Sequence, residues 1–416
     1  MSWEKVTLDK LGHVSRGRSK HRPRNDSSLF GGKYPFIQTA DIKAAPFYIT
    51  EYSETYNDKG LAQSKLWHQG TLCITIAANI ADTAILGIDA CFPDSVMGFI
   101  PYDEVSDVRF VKYAFDMLQR DMKQISQGTA QDNLSWQKLS TIKFPKPPLE
   151  VQRKIADYLV AYEDLIENNQ RQIRLLEEAA QRLYKEWFVD LRFPGYENTP
   201  IVDGVPEGWA KVPISEMISY EIGGGWGEET STVKCTKEAY VIRGTDFYGI
   251  THGDLLSIPF RFHAESNLAS RILMDGDIVF EVSGGSRTEG VARCLLVTSA
   301  MLDTWRNNVM CASFCKLIRP QKGYSYYLHD CFKYLRATGK TEEYDKRSAS
   351  SIVNYRWKDF LVQEKLFNPS SEIIEQYSNY SSAIYSKIVN CSLQILSAKN
   401  ARDRLLPKLM SGEIVV

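Results

Sequence analysis

The chain carries no excess of either charge sign: 50 Lys and Arg against 51 Asp and Glu leave a net charge of −1 over 416 residues. That excludes a uniformly basic, histone-like polymer, so any nucleic-acid contact must come from local patches. Long apolar runs are also missing. The most apolar stretch, Leu72 to Phe92, is interrupted by Asn79, Asp82 and Asp89, which fits a core segment and no membrane span. The opening residues, MSWEKVTLDK, lack the apolar segment of a secretory signal, and a cytoplasmic protein is expected. Eight cysteines are too few for a disulfide framework in a chain of this length and read as reduced, buried thiols. Cys311-x-x-x-Cys315 has no second close pair, and His329 and Cys331 match no zinc spacing, so no metal site is expected.

Catalytic signatures are equally scarce. Gly339-Lys340-Thr341 resembles the end of a phosphate-binding loop, but Tyr334 stands where the first glycine is needed. Pro93-Asp94 with Asp121-Met-Lys123 is an imperfect nuclease carboxylate set whose second piece lies in a helical pattern. Gly-x-Ser-x-Gly and His-Glu-x-x-His are absent. Gly223–Gly225 is not expected to follow a strand and open a helix, as a dinucleotide fold requires. No catalytic residue is therefore assigned. The 44% hydrophobic and 12% aromatic content does exclude disorder as the dominant state, and the length suits two or three domains.

What the chain does contain is helical periodicity. Ile155, Leu159, Tyr162, Ile166, Asn169, Ile173, Leu176, Ala180, Leu183 and Trp187 recur with alternating steps of four and three, the seam of a coiled coil. Pro148 suits a helix start and Pro194-Gly195 lies just past its end. A helix from Leu149 to Phe188 would be roughly 60 Å long and needs a helical partner. A second seam supplies one: Ile373, Tyr377, Tyr380, Ile384, Ile388, Cys391, Ile395, Ala398, Arg402, Leu405 and Leu409, with one phase shift at Ile384–Ile388. Pro407 is expected to kink or end this helix near Leu406. Matched lengths favour antiparallel packing of the two, with Asn169 favouring one register.

The segments before the helices echo each other. Trp3-Glu-Lys-Val6-Thr-Leu8 matches Trp209-Ala-Lys-Val212-Pro-Ile214, and Gly17 matches Gly223 in offset. Phe36-Ile37-Gln38-Thr39-Ala40-Asp41 matches Val241-Ile242-Arg243-Gly244-Thr245-Asp246, and the turn at Gly70 before Leu72 matches that at Gly276 before Ile278. Trp136-x-x-Leu139 matches Trp357-x-x-Phe360. Short apolar runs separated by turns, with one helix in each segment (about Val108–Gln124 and Tyr324–Leu335), make both α+β. The fold is read as two similar α+β globules, residues 1–148 and 194–368, alternating with long helices at 149–193 and 369–416 that form an antiparallel coiled coil.

Polar loops mark the candidate contacts. Arg16, Arg18, Lys20, Arg22 and Arg24 place five cations in nine residues, a composition suited to phosphate. Gln127, Thr129, Gln131 and Asn133 form an amide-rich loop suited to adenine edges. In the second globule Trp226, Arg243, the glycine-rich loop with Ser286 and Arg287, and a polar loop with Lys340, Lys346, Arg347 and Ser348 are the candidates. Solvated surface loops on a coiled-coil scaffold with two protein-binding globules remain the alternative.

Three segments carry a resemblance. Leu183-Tyr-Lys-Glu-Trp187-Phe188-Val-Asp190-Leu-Arg192-Phe-Pro-Gly195 resembles the end of the central conserved region of type I restriction–modification specificity subunits. Arg404-Leu-Leu-Pro407-Lys-Leu-Met-Ser-Gly412-Glu-Ile414 resembles their C-terminal conserved region, and Pro147-Pro148-Leu-Glu150-Val-Gln152-Arg-Lys-Ile155-Ala156 the start of their central helix. The resemblance implies a non-catalytic DNA-binding subunit. Each globule would be a target recognition domain for half of a bipartite site in double-stranded DNA, and the helices would space the halves and dock two methyltransferase subunits. Two motor-nuclease subunits would complete the complex, with S-adenosylmethionine, ATP and Mg2+ bound by the partners and no cofactor by this chain. Asn368-Pro-Ser-Ser-Glu372-Ile-Ile-Glu-Gln376 is a looser copy of the first helix start, which implies that the two docking surfaces differ.

Overall fold

The computed structural model describes residues 3–76, 82–125, 136–284, 290–347 and 352–416. Contacts divide the chain into two compact units, Met1–Glu167 with Ser397–Val416, and Asn168–Leu396. The early part of the first long helix (Leu149–Tyr184) shares a unit with the late part of the second (Ser371–Ser411), so the helices run antiparallel.

In the first unit, strand Glu4–Thr7 pairs with Lys143–Lys146 and ties the start of the globule to its end. A five-stranded sheet runs in the order Gly12–Arg16, Val96–Pro101, Leu72–Thr75, Thr83–Leu86, Tyr48–Ile49. A second sheet holds Phe30–Phe36 parallel to Ala90–Cys91, with Phe36 opposite Cys91. Gly70 takes φ +86° in the turn before Leu72–Thr75, a left-handed conformation that glycine adopts without strain. All four residues of that strand are buried, so its apolar run packs on both faces. Helix Val108–Ile125 covers this sheet, and Ile155, Leu159, Leu406 and Leu409 join the same core. Gln152, fully buried, bridges the globule to the helix start: its Nε2 donates to the Val105 and Pro147 carbonyls and its Oε1 accepts from the Asp107 N–H.

The helix does not end near Leu406 but continues through Pro407 to Ser411. Proline removes the N–H that would bond the carbonyl four residues back, here that of Asp403. Arg120 supplies the replacement, its Nη1 donating to the Asp403 carbonyl at 3.2 Å while its Nη2 meets the Asp403 carboxylate at 2.7 Å. Beside it, buried Glu163 accepts both bonds of a fork from Arg402 Nη1 at 2.9 and 3.1 Å.

The second unit repeats the plan. Ala210–Pro213 pairs with Lys365–Asn368, as Glu4–Thr7 does with Lys143–Lys146. Ile218–Gly223, Cys315–Pro320, Ile278–Glu281 and Cys294–Leu296 form one sheet, and Lys237–Ile242 lies parallel to Val309–Cys311 in another. Gly276 has φ +83° before the fully buried strand Ile278–Glu281, the counterpart of Gly70. The glycine echo slips by one residue. Gly17 N–H bonds the Val96 carbonyl, whereas Gly224, not Gly223, bonds the Cys315 carbonyl. A register shift between Ile218 and Tyr220 adds the extra residue. Gly223 does close a strand, contrary to expectation, yet no helix follows it.

Helix Ser325–Ala337 docks on the long helices through Asp330. Its carboxylate is fully buried and accepts from Tyr377 at 2.7 Å, Ser381 at 2.9 Å and Tyr385 at 2.5 Å. This corrects the second seam: Tyr380 is 60% exposed, while Ser381 and Tyr385 turn inward instead of Tyr380 and Ile384. Most first-seam positions are buried, Asn169 among them. The Lys185–Val189 segment ends the first helix as a π turn. Phe188 lies 4.7 Å from Tyr327 and 4.8 Å from Tyr377, ring to ring, so the Trp-Phe pair anchors both the globule and the second helix. Leu191 then takes φ +58°, ending the helix. All eight cysteines are free. Among the described residues no helix is long and apolar enough to cross a membrane.

Candidate nucleic-acid interface

The basic loop of the first unit has a pinned backbone and unequal side chains. Arg16 ends its strand, and a Cβ at Gly17 would sit 2.3 Å from the Pro93 carbonyl, so only glycine permits this approach. Lys20 and His21 both donate their backbone N–H to Gln63 Oε1, and Ser64 Oγ donates to the Arg18 carbonyl. His21 meets Asp26 at 2.7 Å; the Ser28 backbone N–H, aided by His21, holds the Asp26 carboxyl down to about 2. Arg22 is tied to the Ser19 and His21 carbonyls and faces Asp94 at 3.7 Å, and Arg24 grips Asp94 at 2.6 Å. Among the described residues no ion pair holds the exposed Arg16, Arg18 or Lys20. Three of the candidate cations are thus available to phosphate, and Arg22 is partly neutralised.

Beside this loop opens a cleft of about 670 Å³, lined among others by Arg24, Asn25, Gln38, Thr39, Glu54 and Ser95. Gln38 was not singled out from the sequence. Its backbone N–H donates to Asp41 at 2.7 Å and its Nε2 to Glu54 Oε2 at 2.8 Å. Arg243 occupies the equivalent place in the second unit, where its backbone N–H donates to Asp246 at 2.8 Å. Its Nε and Nη2 also fork onto the Asp246 carboxylate, which keeps the guanidinium charged. The repeat itself was the signal that could have found Gln38, since the two segments align residue for residue here.

Trp226 is 39% exposed, with the Arg261 guanidinium 4.6 Å over its ring and Arg261 paired to Glu229. The Gly224 and Gly225 N–H groups bond the Cys315 and Cys311 carbonyls, so the backbone before the Trp226–Arg261 pair is tied to the neighbouring strands. Lys346 is exposed but lies on strand Asp345–Arg347, not in a loop, because that strand pairs with Val353–Tyr355. Lys340 is neutralised by Glu343 and Glu364. Ser283–Gly284 pairs with the other edge of Val353–Tyr355, so the chain leading to Arg287 and the chain leaving Lys346 spring from one sheet. Gln127, Thr129, Gln131, Asn133, Ser286, Arg287 and Ser348 lie outside the described residues, as does the side chain of Arg347.

Known proteins match this arrangement along the chain. Residues 1–178 match the family model of the type I restriction modification DNA specificity domain. The MjaIX type I restriction enzyme specificity subunit of Methanocaldococcus jannaschii is 24% identical over 429 residues, covering 100% of this chain and 94% of its own. The MjaVIII specificity subunit of the same organism is 26% identical over 227 residues, covering 53% of this chain and 50% of its own. A crystal structure of the S subunit of a type I restriction–modification system from M. genitalium shares the fold: it covers 98% of this chain and 96% of its own, with a TM-score of 0.59 at 14% identity. With the segments at both helix ends, these matches lead to one conclusion: residues 1–178 match a type I restriction modification DNA specificity domain, and the chain along its whole length is similar to type I restriction enzyme specificity subunits.

Proposed function

We propose that each globule reads one half of a bipartite target in double-stranded DNA, while the paired helices set the spacing of the halves and dock two methyltransferase subunits. Two motor-nuclease subunits would join for restriction. Adenine-N6 methylation and cleavage would be carried out in those partners, which would bind S-adenosylmethionine, ATP and Mg2+. The observation that carries this reading is the duplicated plan. Two globules of corresponding strand order are each tied to a long helix by their own buried polar contact, Gln152 with Val105 and Asp107 in the first and Tyr377 with Asp330 in the second. A repeat of this kind presents two similar surfaces, as two half-sites require.

Duplex binding should weaken steeply with salt, because phosphate neutralisation releases counterions; a protein-binding scaffold would show no such slope. Spacing is tested by inserting seven residues after Glu167 and seven after Leu396, which preserves the seam phase and every anchor within each unit. About 10.5 Å of added helix corresponds to roughly 3 base pairs and a turn of about 100° around the duplex. A lengthened spacer, or lost specific binding with retained methyltransferase assembly, is expected. Full recognition of the unchanged target would refute the spacing role.

A further inference from the structure

Gln38 and Arg243 stand at the same position of the two repeats, each following a buried apolar pair and each donating its backbone N–H to an aspartate three residues on. Their side chains are both braced by a carboxylate, and the bracing leaves different hydrogen-bonding groups open. Arg243 gives Nε and one Nη2 hydrogen to Asp246, which leaves its Nη1 and outer Nη2 N–H groups as two parallel donors on a side chain 43% exposed. Gln38 gives one amide N–H to Glu54 at the cleft wall, which leaves one donor beside one acceptor.

In the major groove, two parallel donors match the O6 and N7 acceptors of guanine, and a donor beside an acceptor matches N7 and N6 of adenine. A braced side chain loses less freedom on binding, so its preference between bases is sharper. We propose that Gln38 and Arg243 are paired specificity-determining residues, Gln38 reading an adenine in one half-site and Arg243 a guanine in the other. This rests on the half-site reading proposed above and adds which residues read and which bases they prefer.

The test is selection of bound duplexes from a randomised pool by the full chain assembled with its methyltransferase partner, for the unaltered protein, Gln38→Ala, Arg243→Ala and Arg243→Gln. Each alanine variant should lose about 5- to 150-fold of preference at one base pair, in one half only. Arg243→Gln should move the preferred base there from guanine towards adenine. Asp246→Asn, which loosens the brace but keeps the arginine, should reduce the guanine preference without replacing it. Altered preference at other bases, equal losses in both halves, or unchanged motifs in folded variants would overturn the assignment while leaving half-site reading intact. A pool that yields no bipartite motif with the unaltered protein would instead overturn the half-site reading itself.

Discussion

Tyr385 Oη donates to Asp330 Oδ1 at 2.5 Å, in a site where the aspartate is fully buried. The bond joins a helix of the second globule to the second long helix; Tyr377 and Ser381 also donate to the carboxylate, and His329 Nδ1 lies 3.6 Å from Oδ1. Tyr385→Phe removes one charge-assisted bond and should cost about 1.5–3 kcal/mol. Asp330→Ala strands three buried hydroxyls and should cost more than any single hydroxyl deletion. Urea denaturation of the full chain measures both; equal costs would mean the three hydroxyls find other partners.

Glu163 and Arg402 should respond unequally to deletion. Arg402→Met leaves a buried carboxylate without its fork and should cost about 3–5 kcal/mol. Glu163→Gln should cost less, since Arg402 retains Asp403 at 2.9 Å. Burial raises the Glu163 pKa above 4.5, with Arg402 opposing the rise. An acid whose folded pKa is raised binds more protons folded than unfolded, so its contribution falls as pH rises above the unfolded value. Losing Arg402 widens that window, and the variant's deficit should be larger at pH 8 than at pH 5. A deficit independent of pH would show that Glu163 stays ionised without its partner.

Arg120 and Pro407 should be coupled. Arg120→Met removes the donor that stands in for the missing proline N–H and should cost about 1–2 kcal/mol. In a Pro407→Ala background the helix supplies its own donor, and the same change should cost about 0.5–1.5 kcal/mol less. A double-mutant cycle measures the difference; additivity would assign the cost of Arg120→Met to its ion pair with Asp403 alone.

Neutralising Arg16, Arg18 and Lys20 should weaken binding to many sequences alike and flatten the salt slope by up to roughly 2.7, at about 0.9 per phosphate contact. Arg22→Gln should flatten it less, because Asp94 and two carbonyls already hold that guanidinium. Equal effects from Arg22 and Arg18 would show that the loop rearranges on DNA.

The architecture was legible because its signals are local and periodic. Alternating steps of four and three follow from helix geometry, whatever the helix packs against, and a duplicated segment shows itself by its order of Trp, Gly and Asp landmarks. The helix-end motif at Trp187–Phe188 was readable for the same reason. The seam departs from apolar periodicity at Tyr380 and Ile384, because Ser381 and Tyr385 turn towards a carboxylate about 50 residues away in the chain.

Arg16, Arg18, Arg22 and Arg243 look alike as letters, and their different states come from carboxylates positioned by folding. Asp94 reaches the basic loop from 70 residues beyond Arg24, and Arg120 rescues a helix 283 residues away. Periodicity, turn chemistry and repetition are properties of the covalent order, so they determined which elements form and that they form twice. Which charges remain open, which polar groups are buried and which proline is tolerated depended on partners distant in the chain, because a charge or an orphan carbonyl is governed by whatever lies within a few ångströms of it.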